Sequence, residues 1–227
     1  METYIVASNK PWHKASYDKF TKENLANWEY VETPIELESL LRKGSAPRYI
    51  FFLHWGWLVR EEVWQTYECI CFHMTDLPYG RGGSPLQNLI LDRQQETQLT
   101  ALRMVAELDA GPIYLKKTLS LEGRAEEIFL RLRDLSWEMI DWFIRNEPTP
   151  TPQCGEPTLF VRRKPSDSLL PLRGGLEHLY DYIRMLDAPT YPLAFIEYGD
   201  FRFEFSYPQL QDGKLNARVQ ISRKDGN

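Results

Sequence analysis

The sequence lacks any apolar run near the roughly 18 residues that cross a membrane, and its N-terminus lacks the apolar core of a signal peptide. Its three cysteines, at positions 69, 71 and 154, make no disulfide framework. It also has no internal repeat and no low-complexity tract. These absences predict a cytoplasmic protein without a membrane partner.

Apolar residues, in contrast, are plentiful. Hydrophobic residues make up 43% of the 227 residues and aromatic residues 13%, which is enough to bury a core. The net charge is -5, and the basic residues are scattered along the chain. This charge pattern argues against a large nucleic-acid footprint and predicts no nucleic-acid partner, although it allows a local basic pocket for a phosphorylated small molecule.

Strand-like and helix-like patterns alternate over the first 146 residues and predict an α/β fold with a mainly parallel sheet. The unbroken apolar run 49–53 is typical of a strand buried on both faces. Apolar residues three and four apart predict a long amphipathic helix over 123–146. The predicted strands are 4–7, 49–53, 69–72, 97–104 and 113–119; the predicted helices are 34–43 with Thr33 as its cap, 59–66, one beginning at Pro85 with Ser84 as its cap, and 123–146.

Three prolines between positions 148 and 152 break this pattern and predict a linker. A helix over 176–186 and strands over 194–198, 201–205 and 215–221 follow, with Gly199-Asp200 as a tight turn. The chain is therefore expected to comprise a catalytic domain over 1–147, a linker over 148–165 and a small α+β domain over 166–227. The aromatic-rich hairpin of the last domain could pair two subunits into a homodimer.

His73 ends an apolar strand, and a Pro/Gly-rich loop with Arg81 follows it. Asp109 lies in a second, turn-forming segment. A histidine and a carboxylate that meet in one cleft would suit acid–base chemistry. Each residue also has a plainer interpretation: His73 as a core histidine bonded to a backbone carbonyl, Asp109 as a turn residue and Arg81 as a surface cation.

Cys69, Cys71 and His73 alternate along one strand and so share a face. Two thiols and one histidine at this spacing do not match the usual zinc sites, so no metal is predicted. Cys71 with His73 also suggests a second hypothesis, a cysteine-dependent acyltransferase or hydrolase.

Two motifs follow one another in the sequence: Pro78-x-x-Arg81-Gly82-x-x-Pro85-x-Gln87, which begins five residues after a histidine, and Leu108-Asp109-Ala110-Gly111. In this order they resemble the core of the formyltransferases that use N10-formyltetrahydrofolate. The resemblance covers residues 1 to 145 and implies a Rossmann-like domain with this folate as co-substrate. One position departs from the family, because Cys71 stands where the family has asparagine, and a thiol is a much weaker donor.

The resemblance implies that an amine attacks the formyl carbon and gives a tetrahedral oxyanion. His73 and Asp109 would be the catalytic pair, with Cys71 beside them. The cofactor-binding residues implied are Trp57, Leu58, Val59, Arg81, Val105, Ala106, Glu107, Leu108 and Asp109. Asn9 and Lys10, at the end of the first strand, are candidates for contact with a sugar or a phosphate.

The C-terminal region offers a finer prediction. Tyr182-Ile183-Arg184-Met185-Leu186-Asp187, followed by Tyr191-Pro192-x-Ala194-Phe195, resembles the formyltransferases that act on nucleotide-linked amino sugars. A short, acidic chain also favours these enzymes over those acting on tRNA. The expected acceptor is therefore a UDP-linked 4-amino-4,6-dideoxy sugar. A methionyl-tRNA-type formyltransferase is the alternative, and a non-catalytic relative that binds folate or nucleotide is a third hypothesis.

Overall fold

A computed structural model describes residues 2–224. The strands are β1 (Thr3–Ala7), β2 (Asn27–Val31), β3 (Tyr49–Leu53), β4 (Cys69–His73), β5 (Arg81–Gly82), β6 (Glu96–Arg103), β7 (Ile113–Ser120), β8 (Leu159–Phe160), β9 (Ala194–Tyr198), β10 (Phe201–Gln211) and β11 (Lys214–Arg223). The helices are α1 (Pro11–Glu23), α2 (Pro34–Arg42), α3 (Glu61–Thr66), α4 (Pro85–Leu91), α5 (Ala125–Asn146) and α6 (Leu176–Arg184).

The main sheet has six strands in the order β2-β1-β3-β4-β6-β7. β1 pairs in parallel with β2 and β3, and β3 pairs in parallel with β4, whereas β4 pairs with β6 in the antiparallel direction. The predicted α/β class with a mainly parallel sheet is therefore confirmed.

β3 lies at the centre of this sheet, and all five of its residues are buried. On one face Phe51 meets the ring of Phe143 from α5, with the ring centroids 5.5 Å apart. On the other face Phe52 belongs to a core cluster with Leu37 of α2 and Val63 of α3. Helices cover both faces, which explains why the sequence here is an unbroken apolar run.

The predicted cap of α2 is present, since the Thr33 side chain accepts the backbone N–H of Glu36 at 3.2 Å. The predicted cap of α4 is wrong. Ser84 adopts a left-handed backbone with φ of 52°, and its side chain makes no cap bond to α4. Its hydroxyl instead accepts the backbone N–H of Arg163 at 3.0 Å.

α1 and β2 were not predicted because their patterns are weak. α1 buries only His13 and Tyr17, so it lacks a continuous apolar stripe. β2 is an edge strand in which only Val31 is fully buried. Short elements with few buried apolar residues give little periodicity to detect.

The described residues form two compact units that interleave along the chain. Residues 2–82, 98–119 and 130–159 belong to the first unit, and residues 83–97, 120–129 and 160–224 belong to the second. The domain boundaries expected from the sequence stay a prediction. No helix within residues 2–224 is long and apolar enough to cross a bilayer.

The second unit contains an antiparallel sheet of three strands in the order β11-β10-β9. Asp212 and Gly213, both at positive φ, form the turn between β10 and β11, as a two-residue hairpin turn requires. Phe203 pairs with Ile221 and with Ile196, so the three side chains share one face. Ile221 is 58% exposed on that face. The homodimer expected from this hairpin stays a prediction.

Candidate active site

His73 is the last residue of β4, and its side chain is buried. Its ring Nε2 lies 2.8 Å from the carbonyl oxygen of Gly80. A backbone carbonyl can only accept, so Nε2 carries the proton in this contact. The other ring nitrogen, Nδ1, lies 3.6 Å from Oδ2 of Asp109. The Nδ1 edge is therefore the one available to exchange a proton with the carboxylate.

The side chain of Asp109 is held by a backbone group. Its Oδ2 accepts the backbone N–H of Gly82 at 2.9 Å, and the backbone of Asp109 itself has a left-handed φ of 53°. The β6–β7 connection leaves the sheet at Arg103, which lies opposite Ile70 near the start of β4. The loop must therefore fold back along β4 by about three residues, roughly 10 Å, to bring Asp109 to His73.

Gly111 allows this fold-back. A Cβ atom at this position would lie 1.7 Å from the carbonyl oxygen of Arg103, so the backbones approach too closely for any side chain. The Arg103 N–H also donates to the carbonyl of Pro112 at 2.9 Å. The glycine of the second motif thus has a steric role next to the carboxylate.

The loop that carries Gly80 is also fixed. The Gly80 carbonyl accepts the Thr75 hydroxyl at 3.2 Å, and the Gly80 N–H donates to the Thr158 hydroxyl at 2.7 Å. His73 is therefore both a histidine bonded to a backbone carbonyl and a histidine that faces a carboxylate. The bond to the carbonyl agrees with the plainer interpretation at the Nε2 edge, and the catalytic role of the edge that faces Asp109 stays a prediction.

Cys71 is half-buried on β4, two residues before His73. Burial raises the pKa of its thiol, and the negative charge of Asp109 raises it further. A nucleophilic cysteine requires the opposite, an environment that stabilises the thiolate. The burial of Cys71 and the nearby carboxylate thus disfavour the cysteine-dependent hypothesis. Within residues 2–224, no three His, Cys, Asp or Glu side chains form a group that could hold a metal ion.

Arg81 was expected to contact the cofactor or an anionic substrate. In the structure its guanidinium donates to Glu107 at 2.9 Å, and to Oε1 of Gln153 from Nε at 3.2 Å and from Nη2 at 2.9 Å. Gln153 was not identified from the sequence, because it lies in the proline-rich stretch that was interpreted as a linker. The cofactor role of Arg81 stays a prediction.

The other cofactor candidates lie on two loops of the first unit. Trp57, Leu58, Val105 and Leu108 are exposed large apolar side chains, and Ala106 and Glu107 are exposed beside them. Val59 differs, because it packs against the core cluster of β3. Exposed apolar groups on neighbouring loops often mark a ligand surface. Their contact with a pterin stays a prediction.

The ends of β1 and β3 carry further polar groups. Asn9 is exposed and Lys10 is half-buried, and burial lowers the pKa of Lys10. Burial also lowers the pKa of His13 to about 3, with a smaller contribution from the charge of Arg133. His54 lies directly after β3, in a position similar to that of His73 at the end of β4. Burial lowers the pKa of His54 well below the usual value. Sequence reasoning missed both histidines, although a histidine after an apolar run was a usable signal for His54.

Comparisons with known proteins identify the family. A family model described as the C-terminal domain of methionyl-tRNA formyltransferase matches residues 165–222. A solved structure of methionyl-tRNA formyltransferase from Clostridium thermocellum is 40% identical, with a TM-score of 0.93, and the match covers 99% of this chain and 100% of that one. Methionyl-tRNA formyltransferase of Thermodesulfovibrio yellowstonii is 28% identical over 191 residues, which cover 81% of this chain and 61% of the relative.

The chain belongs to the formyltransferase family that uses N10-formyltetrahydrofolate. Within that family, the relative that it matches over its whole length at 40% identity is a methionyl-tRNA formyltransferase. The resemblance stated from the motifs and the folate co-substrate are thereby confirmed. The chain spans about three-fifths of the length of the curated relatives that it matches, 61% for the Thermodesulfovibrio protein.

The comparisons overturn the expected acceptor. A 4-N formyltransferase from Francisella tularensis matches with a TM-score of 0.68, covering 100% of this chain and 99% of that one, but it is only 14% identical, a level that shows the fold alone. The prediction of a UDP-linked amino sugar and that of no nucleic-acid partner are both wrong. Chain length misled the prediction, since the Clostridium thermocellum relative is covered completely by this short chain. The net charge was also a misleading signal. It sums over the whole protein, whereas a binding surface depends on the charges in one place.

Proposed function

We propose that this chain transfers the formyl group of N10-formyltetrahydrofolate to the α-amino group of methionyl-tRNA. The observation that carries the proposal is the His73–Asp109 pair, with Nδ1 and Oδ2 3.6 Å apart, in a chain that matches a methionyl-tRNA formyltransferase at 40% identity over its whole length.

The reaction needs proton transfer at two stages. The amine nitrogen forms a bond to the formyl carbon while the carbonyl electron pair moves to oxygen. The proton lost by the amine passes to the carboxylate of Asp109, which lies next to the imidazole. The oxyanion electron pair then re-forms the carbonyl, the bond from carbon to N10 breaks with its electron pair left on N10, and N10 takes the proton that Asp109 received from the amine. The products are tetrahydrofolate and formylmethionyl-tRNA.

His73 acts at the oxyanion. Its Nε2 is bonded to the carbonyl of Gly80, so the Nδ1 edge, when Nδ1 carries a proton, is the one that donates to the developing negative charge. Loss of such a donor typically costs about 2.7–4 kcal/mol of barrier. Cys71, in the position of the family's asparagine, contributes little to this donation.

Binding of a tRNA requires exposed cations, and a net charge of -5 does not exclude them. In the segment matched by the C-terminal-domain model, Arg173, Lys214 and Arg218 are exposed. The guanidinium of Arg218 also lies 4.2 Å from the ring centroid of Tyr207. Exposed cations of this kind contact phosphates, and the affinity they provide falls as salt rises. We expect the KM for methionyl-tRNA, and not that for the folate, to rise with ionic strength.

The test is a transfer assay with methionyl-tRNA and the folate donor. Formyl-methionine is released from the tRNA by hydrolysis and measured by mass spectrometry. N-acetyl-methionyl-tRNA, whose amine is blocked, is the substrate control, and the His73→Ala variant is the enzyme control. A wild-type rate no higher than that of His73→Ala would contradict the proposal.

A further inference from the structure

Gln153 lies in the proline-rich segment that follows α5, and among residues 151–159, all of which the structure describes, it alone is not exposed. Thr151 fastens the start of this segment by exchanging two backbone hydrogen bonds with Ile113, at 2.7 and 2.8 Å. Thr158 fastens the end, because its carbonyl accepts the N–H of Arg81 at 3.0 Å. The segment is therefore held at both ends, with one side chain directed inward.

The carboxamide of Gln153 makes four hydrogen bonds. Its oxygen accepts two from the guanidinium of Arg81, at 3.2 and 2.9 Å. Its nitrogen donates to the backbone carbonyl of Asp109 at 2.8 Å and to that of Gly111 at 2.8 Å. An amide has two donor hydrogens and two acceptor lone pairs, so this environment uses its full capacity.

The orientation of the amide is determined by its partners. Arginine can only donate and a backbone carbonyl can only accept, so the oxygen must face Arg81 and the nitrogen must face the Asp109–Gly111 loop. No other uncharged side chain of this length offers two acceptors on one side and two donors on the other. A glutamate would keep the contact with Arg81 but would place an oxygen against two carbonyl oxygens.

These bonds join the loop that carries Asp109 to Arg81, next to Gly80, whose carbonyl contacts His73. The Asp109 side chain is held by the N–H of Gly82, the residue after Arg81, and its backbone is held by Gln153. Asp109 has a left-handed φ of 53°, which few residues with a side chain adopt, and the bond from Gln153 to its carbonyl stabilises this conformation. Without Gln153, the Gly82 contact alone would have to orient the carboxylate.

We infer that Gln153 is a positioning residue for the formyl transfer, and that it acts by holding the Asp109–Gly111 loop so that the carboxylate faces Nδ1 of His73. The inference rests on the proposed function for its kinetic consequence. A displacement of about 1 Å at a reacting group can lower a rate by roughly 10²-fold.

The kinetic test compares Gln153→Met and Gln153→Glu with wild type. Each should lower kcat by about 10- to 100-fold and change the KM for the folate donor by less than about threefold. Gln98→Met is the matched control, since Gln98 donates to Thr118 on the neighbouring strand at 3.1 Å, away from the pair. Wild-type kcat in Gln153→Glu, which keeps only the contact with Arg81, would overturn the inference.

A double-mutant cycle separates positioning from general damage to the fold. If Gln153 acts through Asp109, Gln153→Met should lower kcat no further once Asp109→Asn is present. Multiplicative losses in the double variant would show that Gln153 acts elsewhere and would overturn the inference.

A second readout needs no substrate. The ring-nitrogen resonances of His73 in the protein without ligands, assigned by their absence in His73→Gln, report the surroundings of Nδ1. Gln153→Met should shift the Nδ1 resonance in the same direction as Asp109→Asn, and Gln98→Met should leave it unchanged. An unchanged resonance in Gln153→Met would overturn the inference. Absence of transfer to methionyl-tRNA by wild type would reject the proposed function, and this measurement would still decide the role of Gln153.

Discussion

The six-stranded sheet and the three-stranded sheet are made of similar residues but differ in what covers them. In the six-stranded sheet, β3 is buried along its entire length. In the three-stranded sheet, β11 has no buried residue, and Val219 and Ile221 are exposed although they share a face with Phe205 and Phe203. Aromatic and β-branched residues form strands in both cases, so strand formation does not require a covered face.

The covering of a sheet determines how firmly its side chains are held. A side chain at the end of a buried strand, such as His73, is held by backbone groups on a rigid frame. A side chain on the open sheet has few neighbours to fix its rotamer. We therefore expect substitutions in the first sheet to have large effects on activity or stability, and matched substitutions in the second unit to have small ones.

The largest effect should come from His73→Ala. Removal of the imidazole eliminates both the proposed donor to the oxyanion and the partner of Asp109, so kcat should fall by about 10²- to 10⁴-fold. The matched variant His178→Ala, in α6 of the second unit, should keep wild-type kcat. Steady-state kinetics of formyl transfer measure both. Equal losses would show that the contrast between the two regions does not extend to catalysis.

Next in size is a pair of phenylalanine truncations. Phe51→Ala on β3 removes a ring that is 0% exposed and should lower the free energy of unfolding by about 3–5 kcal/mol. Phe201→Ala on β10 removes a ring that is 43% exposed and should lower it by less than about 1 kcal/mol. Urea denaturation followed by circular dichroism measures both values. Similar losses would mean that the exposed sheet is covered in solution, as a homodimer would require.

Acidification should also affect the first unit. His13 has a pKa of about 3 in the folded chain and near 6.5 when unfolded, so between these values only the unfolded chain binds the proton. Stability is therefore lost as pH falls from 6.5 towards 3, by about 2 kcal/mol at pH 5 from this residue. Denaturation of His13→Phe at pH 7 and pH 5 should show a smaller drop than wild type. His178→Phe should show the wild-type drop; a full drop in His13→Phe would contradict the assignment.

The smallest effect concerns Cys71. Because burial raises the pKa of this thiol, little thiolate exists near neutral pH, and iodoacetamide should label Cys71 far more slowly than the exposed Cys154. Cys71→Ser should change kcat by less than about tenfold, because a thiol with a raised pKa is a poor nucleophile and a weak hydrogen-bond donor. Peptide mass spectrometry follows the labelling. Loss of activity in step with labelling of Cys71 would revive the cysteine-dependent hypothesis.

Much of the first sheet could be predicted because its signals are local. The apolar run of β3 and the Thr33 cap of α2 each follow from a few adjacent residues. The pairing of His73 with Asp109 is long-range, and the family resemblance supplied it. The position of Gln153 could not be predicted, because its partners are backbone carbonyls about 40 residues away that have no sequence signature.

The acceptor was mispredicted for a related physical reason. Net charge and chain length are averages, whereas a tRNA-binding surface needs only a few cations in one place. A list of residues cannot show which cations share a surface, since this depends on how strands such as β10 and β11 pair.

The antiparallel register of β6 against β4 determines where the loop after β6 places Asp109. A slip of two residues would leave every apolar side chain on its own side of the sheet, yet would carry the Asp109 carboxylate roughly 7 Å away from the imidazole. Such a slip would keep the two faces of the sheet but would separate the carboxylate from the imidazole, so we expect it to lower the rate of formyl transfer. The number of residues between Arg103 and Ile113 therefore sets the distance from the carboxylate to the imidazole, and we expect an insertion there to change that distance more than an insertion in a connection far from His73.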